Sequence, residues 1–279
     1  MAKKIITYII NFLFTICIFL FVALSIFSNT ILSKNYVLKT MQKNNYYERT
    51  YYTIKEAFGD YTVQSGIDES EVNSVYNANQ VENDIKQVVE GIYENKKINI
   101  STDEMIARLD IRINEILKQK NRMPDSEEKE AIKIFEKNLS ETYADSIMLS
   151  EKYITQVVNT FAKVQKAFGI AFTSIAIVTF ILLTLLLIIN KERKERLQTI
   201  GTALIASGML GIMIKLFAGN RTHSILIFSK EFSETAISLI DSILHLFLVV
   251  GIVLLLTGIA LVVIVNKGMK EKKTSKHGK

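Results

Sequence analysis

Apolar residues gather in four long runs, at residues 5–27, 168–189, 197–217 and 240–265, with one long polar stretch between the first and the second. Each run approaches the ~20 apolar residues that carry a helix across a ~30 Å hydrocarbon core. The pattern predicts an all-α integral membrane protein: four transmembrane helices, with a helical extracytoplasmic domain inserted between the first and second. The expected organisation is an N-terminal transmembrane anchor (1–27), an extracytoplasmic helical domain (28–167), a three-helix transmembrane bundle (168–266) and a basic cytoplasmic tail (267–279).

Inside the polar stretch, apolar positions recur at helical spacing and rarely alternate. Leu38, Met41, Tyr47, Tyr51, Ile54 and Phe58 predict a helix over 35–58 that continues outward from the first run. Gly59-Asp60 and Ser65-Gly66 are expected to break it, and a short helix is expected over 68–76. Val81, Ile85, Val88, Val89 and Ile92 form the clearest amphipathic stripe, predicting a helix over 80–93. Ser101 with Glu104 reads as a capping box opening a helix over 102–118, which buries Met105, Ile106, Leu109, Ile113 and Ile116. After a turn at 121–124, Asp125 with Glu128 reads as a second box. Ile132, Phe135, Leu139, Tyr143, Ile147, Ile154, Phe161 and Val164 then mark a helical face running into the second apolar run, with Ser140 and Ser150 as points of interruption. A stretch of about 140 residues is large enough for its own core. It holds no internal repeat and no sustained heptad.

Charge sets the expected orientation. The flanks at the N terminus, between the second and third runs and after the fourth carry 12 Lys and Arg against 3 Glu, whereas residues 28–167 carry 19 basic and 22 acidic residues. Lys and Arg accumulate on the cytoplasmic side. Both termini and the segment Lys191-Glu192-Arg193-Lys194-Glu195-Arg196 are therefore expected in the cytoplasm, and 28–167 outside. The basic excess sits where anionic headgroups attract it, so it is no argument for nucleic acid. The first apolar run exceeds the ~7–15 residues of a signal-peptide core and no A-x-A site follows it, so it reads as an uncleaved anchor. Cys17 is the one cysteine, which rules out an intramolecular disulfide.

Motifs for catalysis are missing. The chain has no H-E-x-x-H, no G-x-S-x-G, no phosphate loop and no G-x-G-x-x-G. Residues 28–167 contain neither His nor Cys, the side chains a zinc site draws on. No cofactor or metal is expected, and the chain reads as a non-enzyme.

Three groups of residues stand out. Lys215, Asp241 and His245 are ionisable residues in or beside apolar runs, where a charge is costly and a functional site is the default hypothesis. Asp241 and His245 stand i, i+4 on one helical face. The competing reading puts all three at the interface, with Lys215 snorkelling. Ala203, Ser207 and Gly211 form a small-xxx-small ladder that lets two helix backbones approach closely, within this chain's bundle or between two copies. Tyr46, Tyr47, Tyr51 and Tyr52 are a candidate partner surface, although Tyr47 and Tyr51 share a face with core positions.

Several resemblances follow from these residues. A helical bundle between two spans resembles the sensor domains of bacterial receptors, except that this chain carries only a short Lys-rich tail where those have an output domain. The order span, outer domain, three spans resembles the membrane subunits of the FtsX and MacB class of ABC systems. The stretch from Glu192 to Gly201 is similar to their coupling segment, but the third apolar run begins almost at once. Tyr46-Tyr47 with Ile54, Ser65-Gly66-Ile67, Val81 and Asp84-Ile85 resemble four-span envelope proteins of low-GC Gram-positive bacteria, which implies a location and a fold without an activity. The expected function is a non-enzymatic cell-membrane protein whose extracytoplasmic helical domain binds a ligand or partner, in a sensory, scaffold or accessory role. Its expected partners are the lipid bilayer and a protein or a second copy of the chain. The alternatives are a permease-like subunit of an ABC-type complex and a small oligomeric channel or transporter.

Overall fold

The computed structural model describes residues 2–65, 67–98, 100, 102–147, 151–218 and 230–274. In chain order the helices are α1 (Ala2–Asn29), α2 (Lys34–Lys43), α3 (Tyr46–Ser65), α4 (Glu69–Asn73), α5 (Ala78–Glu94), α6 (Asp103–Gln119), α7 (Ser126–Ile147), α8 (Glu151–Ile189), α9 (Arg193–Ala218) and α10 (Lys230–Thr274). No strand occurs among the described residues. Among the described residues, four segments are long and apolar enough to cross a membrane: Lys4–Asn29, Ile154–Ile189, Arg193–Ala218 and Phe232–Asn266. This is the make-up of a multi-pass membrane protein. Gly66, Ser101 and Ser150 lie outside the described residues, as does the tail beyond Thr274.

The chain divides into two compact units. The first comprises Met1–Ser33, Gln165–Phe228 and Ala236–Lys279. Here Phe14, Leu186 and Ala203 form one buried cluster, flanked by Ile10, Ile18 and Leu182. Ile26, Ile243 and Phe247 form another, flanked by Phe19, Val22 and Phe27. Phe12, Phe180, Phe217 and Leu256 remain exposed; for a bundle in lipid, outward apolar side chains face a matching solvent. Threonine and serine hydroxyls in these helices bond back to carbonyls one turn earlier, as Ser25 does to Phe21 at 2.8 Å and Thr179 to Ile175 at 2.7 Å. That satisfies each hydroxyl where water is absent.

The second unit comprises Lys34–Val164 and Ser229–Thr235. Its helices start and stop on local chemistry. Asn77 caps α5 by accepting from the Gln80 amide at 2.9 Å, and Asn95 closes the helix in the left-handed region at φ 52°. The Asp125–Glu128 box opens α7: Asp125 Oδ1 accepts from the Glu128 amide at 2.8 Å, and Glu128 Oε2 from the Asp125 amide at 3.3 Å. The core of this unit is built from Ile54, Phe58, Val72, Val81, Ile85, Met105, Leu109, Leu139 and Tyr143.

Three sequence expectations are corrected. The helix expected over 35–58 is two helices, and neither continues α1. The chain turns after Asn29 and again at Asn44-Asn45, where Asn45 takes φ 52°. Asparagine adopts that left-handed conformation more readily than most residues. Conversely, Gly59-Asp60 does not end a helix, because α3 runs on to Ser65. A helical glycine costs only ~1 kcal/mol relative to alanine, less than the buried packing of Phe58 and Thr62 on either side. Ser140 likewise does not interrupt α7. Its hydroxyl lies 2.6 Å from that of Thr102, the residue that precedes α6.

Candidate functional site

The three ionisable residues of the spans do not converge on one point. Lys215 Nζ stands 3.8 Å from Asp241 Oδ1, with both side chains partly exposed. His245 is exposed and joins no ion pair or hydrogen bond among the described residues. The pair is therefore a long, partly solvated ion pair, a class worth about 0–1 kcal/mol. Lys215→Ala and His245→Ala are each expected to leave the yield of monodisperse protein unchanged and to shift stability by less than ~1 kcal/mol. A purified variant with full stability but lost partner recovery or lost flux would instead make these residues a working site.

The small residues of α9 face two neighbours. Ala203 is fully buried beside Phe14 and Leu186, and Ser207 Oγ donates to the Thr15 carbonyl of α1 at 2.9 Å. On another face, Gly211 comes against α10, where an added Cβ would meet the Phe247 carbonyl oxygen at 3.1 Å. Sequence reasoning missed the tightest part of this seam. A Cβ on Gly208 would fall 2.5 Å from the Gly251 carbonyl oxygen, and one on Gly258 would fall 2.6 Å from that of Gly201. Gly201 and Gly208 on α9, and Gly251 and Gly258 on α10, are each seven residues apart. Seven residues are two helical turns, and that matched spacing was the available signal.

The tyrosines likewise separate. Tyr47 is buried, its hydroxyl donating to the Leu38 carbonyl at 3.3 Å and Lys86 Nζ standing 5.7 Å from its ring centre. Burial, reinforced by Glu82, pushes its phenol up to about 12. Tyr51 is half-buried and its ring lies 5.5 Å from that of Tyr76. Tyr46 is half-buried against Tyr47, at 6.3 Å between ring centres. Tyr52 alone of the four is exposed. The group is largely an edge of the core, with one residue available to a partner.

Behind it lies an aromatic cluster drawn from separate helices. Tyr76 sits 5.1 Å from Phe58 and 6.0 Å from Tyr143, and the Tyr143 hydroxyl donates to Asp84 Oδ2 at 2.7 Å. Burial raises the Asp84 carboxyl above its usual range, against the opposing effect of the Tyr143 hydrogen bond. Burial likewise raises both the Tyr76 and Tyr143 phenols. Glu136 on α7 is raised by burial and by the nearby Asp110 carboxylate. No group of three or more His, Cys, Asp or Glu side chains is arranged to hold a metal ion among the described residues.

Among the described residues, two clefts of ligand-like size stand out. One, of about 370 Å³, opens between the ends of α6 and α7. Ile113, Ile116, Ile132 and Phe135 line it, and Lys120 and the Arg122–Glu128 ion pair stand at its rim. The other, also about 370 Å³, is polar and lies between α1, the α8–α9 turn and α9. The chain matches no protein-family model, no curated protein and no solved structure.

Proposed function

We propose that this chain is a non-enzymatic cell-membrane protein whose helical unit lies outside the cytoplasm and binds a ligand or protein partner there, while the helices of the other unit hold it in the bilayer. The orientation rests on the asymmetry of Lys and Arg about the spans. The single observation that carries the binding reading is the cleft between α6 and α7. The centre of the helical unit is closed, with Phe58, Met105, Leu109, Leu139 and Tyr143 all at 1% exposure or less, and a smaller cleft of about 270 Å³ beside Ile98, Ile154 and Val158 is lined largely by polar side chains. Between α6 and α7 the unit leaves isoleucine and phenylalanine faces open beneath a charged rim. Apolar walls with a few polar groups at the mouth are the usual make-up of a recognition pocket.

The permease-like alternative has less support. The segment resembling a coupling segment lies almost wholly within α9, which runs unbroken from Arg193 to Ala218. Among the described residues no separate helix stands between α8 and α9.

Two experiments test the proposal. Single cysteines at Met123, which is 95% exposed, and at Lys191 in a Cys17→Ala background are treated with a membrane-impermeant maleimide. Labelling at position 123 in intact cells, and at 191 only after lysis, is expected; the reverse pattern overturns the orientation. Cross-linking in native membranes, mild-detergent capture and mass spectrometry then identify what is bound. A stoichiometric extracytoplasmic or membrane partner supports the binding reading. A stoichiometric ATPase or a defined homo-oligomer replaces it with one of the transport readings.

A further inference from the structure

The polar cleft of the membrane unit has chemistry that the proposed function does not use. α1 enters its apolar span at Lys4, and Asn11 follows about 10 Å further along the helix at 1.5 Å per residue. Lys4 and Asn11 both line the cleft, together with Asn190, Glu195, Thr199 and Thr202. The cleft thus runs from the charged end of the span into its apolar part, the depth over which a lipid headgroup gives way to glycerol.

The groups along it are incompletely matched to one another. Asn11 Nδ2 donates to Thr202 Oγ1 at 3.3 Å, and Asn190 Nδ2 donates to Thr199 Oγ1 at 3.3 Å. Both bonds are long for their type. The backbone carbonyl of Asn11 accepts from Thr15 Oγ1 at 2.9 Å, whereas the Asn11 side-chain oxygen Oδ1 is buried and has no hydrogen-bond partner among the described residues. An orphaned acceptor of this kind costs about 1–3 kcal/mol, so it calls for a donor. At the rim, Lys4 pairs with no carboxylate and Glu195 with no cation among the described residues. One cation, one anion and a buried acceptor in a cleft of about 370 Å³ complement a small zwitterion with a donating ammonium. The volume falls within the ~300–1,000 Å³ of small-ligand sites.

We propose that this cleft binds a phosphoethanolamine ester, carried by a phospholipid of the leaflet on the N-terminal side. Lys4 takes the phosphate, Glu195 takes the ammonium, and the Asn11 and Asn190 amides and threonine hydroxyls hold the ester oxygens and the remaining ammonium proton. A choline headgroup has the same charges but no N–H to give to Asn11 or Glu195. The site therefore selects ethanolamine over choline. This assignment rests on the reading that the four apolar helices span a bilayer.

The test uses the full chain purified in mild detergent. Phosphatidylethanolamine, phosphatidylcholine and phosphatidylglycerol with identical acyl chains are added in turn, and retention is read by native mass spectrometry and by thermal shift. Retention and stabilisation by the ethanolamine lipid above the other two is the expected result. Lys4→Gln and Glu195→Gln, both at exposed positions, are each expected to weaken it about tenfold, the equivalent of 1.4 kcal/mol. Their lipid-free melting temperatures should match the unsubstituted protein. Equal retention of all three lipids, preference for the glycerol lipid, or variants that bind as well as the parent would overturn the proposal. Equal stabilisation by water-soluble glycerophosphoethanolamine would overturn the lipid assignment and identify a soluble ester as the ligand. Failure of the membrane reading gives a different sign: the chain would then appear in the soluble fraction of cells.

Discussion

Gly208→Leu is expected to abolish recovery of folded, monodisperse protein from membranes. The seam between α9 and α10 is antiparallel, and glycines meet glycines along it: Gly208 against Gly251, and Gly201 against Gly258. Even a Cβ at Gly208 would fall 2.5 Å from the Gly251 carbonyl oxygen and 2.7 Å from the Leu255 amide nitrogen. Both are backbone atoms of a long helix, so no side-chain rotation relieves the clash. The two helices must part, and parting removes contact along two turns. In lipid no hydrophobic drive compensates, because tails solvate an exposed apolar helix as well as a neighbour does. Overpacking alone typically costs ~1–3 kcal/mol, and separation of the seam adds to it, so a loss of about 3 kcal/mol or more is expected. Against a typical total of ~5–15 kcal/mol, that removes a large part of the margin, and misassembled protein is then cleared from the membrane. Gly169→Leu is the control, since nothing lies within 4 Å of the Cβ it would add. Fluorescence-detected size exclusion and a melting curve read both variants. A Gly208→Leu protein with the parent's profile would mean that the seam is not a contact of the folded protein.

What the sequence made legible, and what it hid, divides along a physical line. A helix whose buried face is written in its own residues was legible. Val81, Ile85, Val88 and Val89 of α5 are all buried, as are Met105, Leu109 and Ile113 of α6. The four apolar runs were legible for the same reason, since length and composition suffice to define a span. Breaks set by backbone conformation were not. Asn44-Asn45 turns the chain while Gly59-Asp60 does not, and neither outcome is visible in side-chain periodicity. Least legible were features assembled from several elements. The start of α10 belongs with the helical unit, where Ser233 and Thr235 are buried and Glu234 pairs with Arg49. Nothing local to residues 229–235 announces a partner nearly two hundred positions earlier. The α6–α7 cleft and the polar cleft were hidden in the same way, because each wall reads alone as an ordinary amphipathic face or a few scattered amides.

Tyr143→Ala is expected to destabilise the helical unit by about 3–5 kcal/mol, the range for deleting a fully buried aromatic side chain. Tyr143 is fully buried, packs edge-on to Tyr76, and gives its hydroxyl to Asp84. Tyr143→Phe separates packing from hydrogen bonding: the ring stays, the donor goes, and the loss should be about 1–3 kcal/mol. Acidity then distinguishes a carboxylate that the fold needs from one that it tolerates. Burial raises the Asp84 carboxyl, so the folded state holds that proton more tightly than the unfolded chain. The stability linked to it is fully present below the ordinary carboxyl value of ~3.9. It is lost as pH rises through the raised folded value. Asp84→Asn keeps an acceptor for Tyr143 and never ionises. It should therefore match the parent in acid and exceed it at neutral pH. The Tyr143→Phe penalty should run the other way in size, shrinking in acid, because a protonated Asp84 asks less of its partner than a carboxylate does. Melting temperatures of the three proteins between acid and neutral pH test both trends, and the double substitution isolates the coupling. An Asp84→Asn protein that loses as much stability at neutral pH as Tyr143→Phe would mean that the charged carboxylate supports the fold. In that case the aromatic cluster would have to be read as built around an anion, with Arg108, whose charge acts on Tyr143, as the first residue to test for holding it.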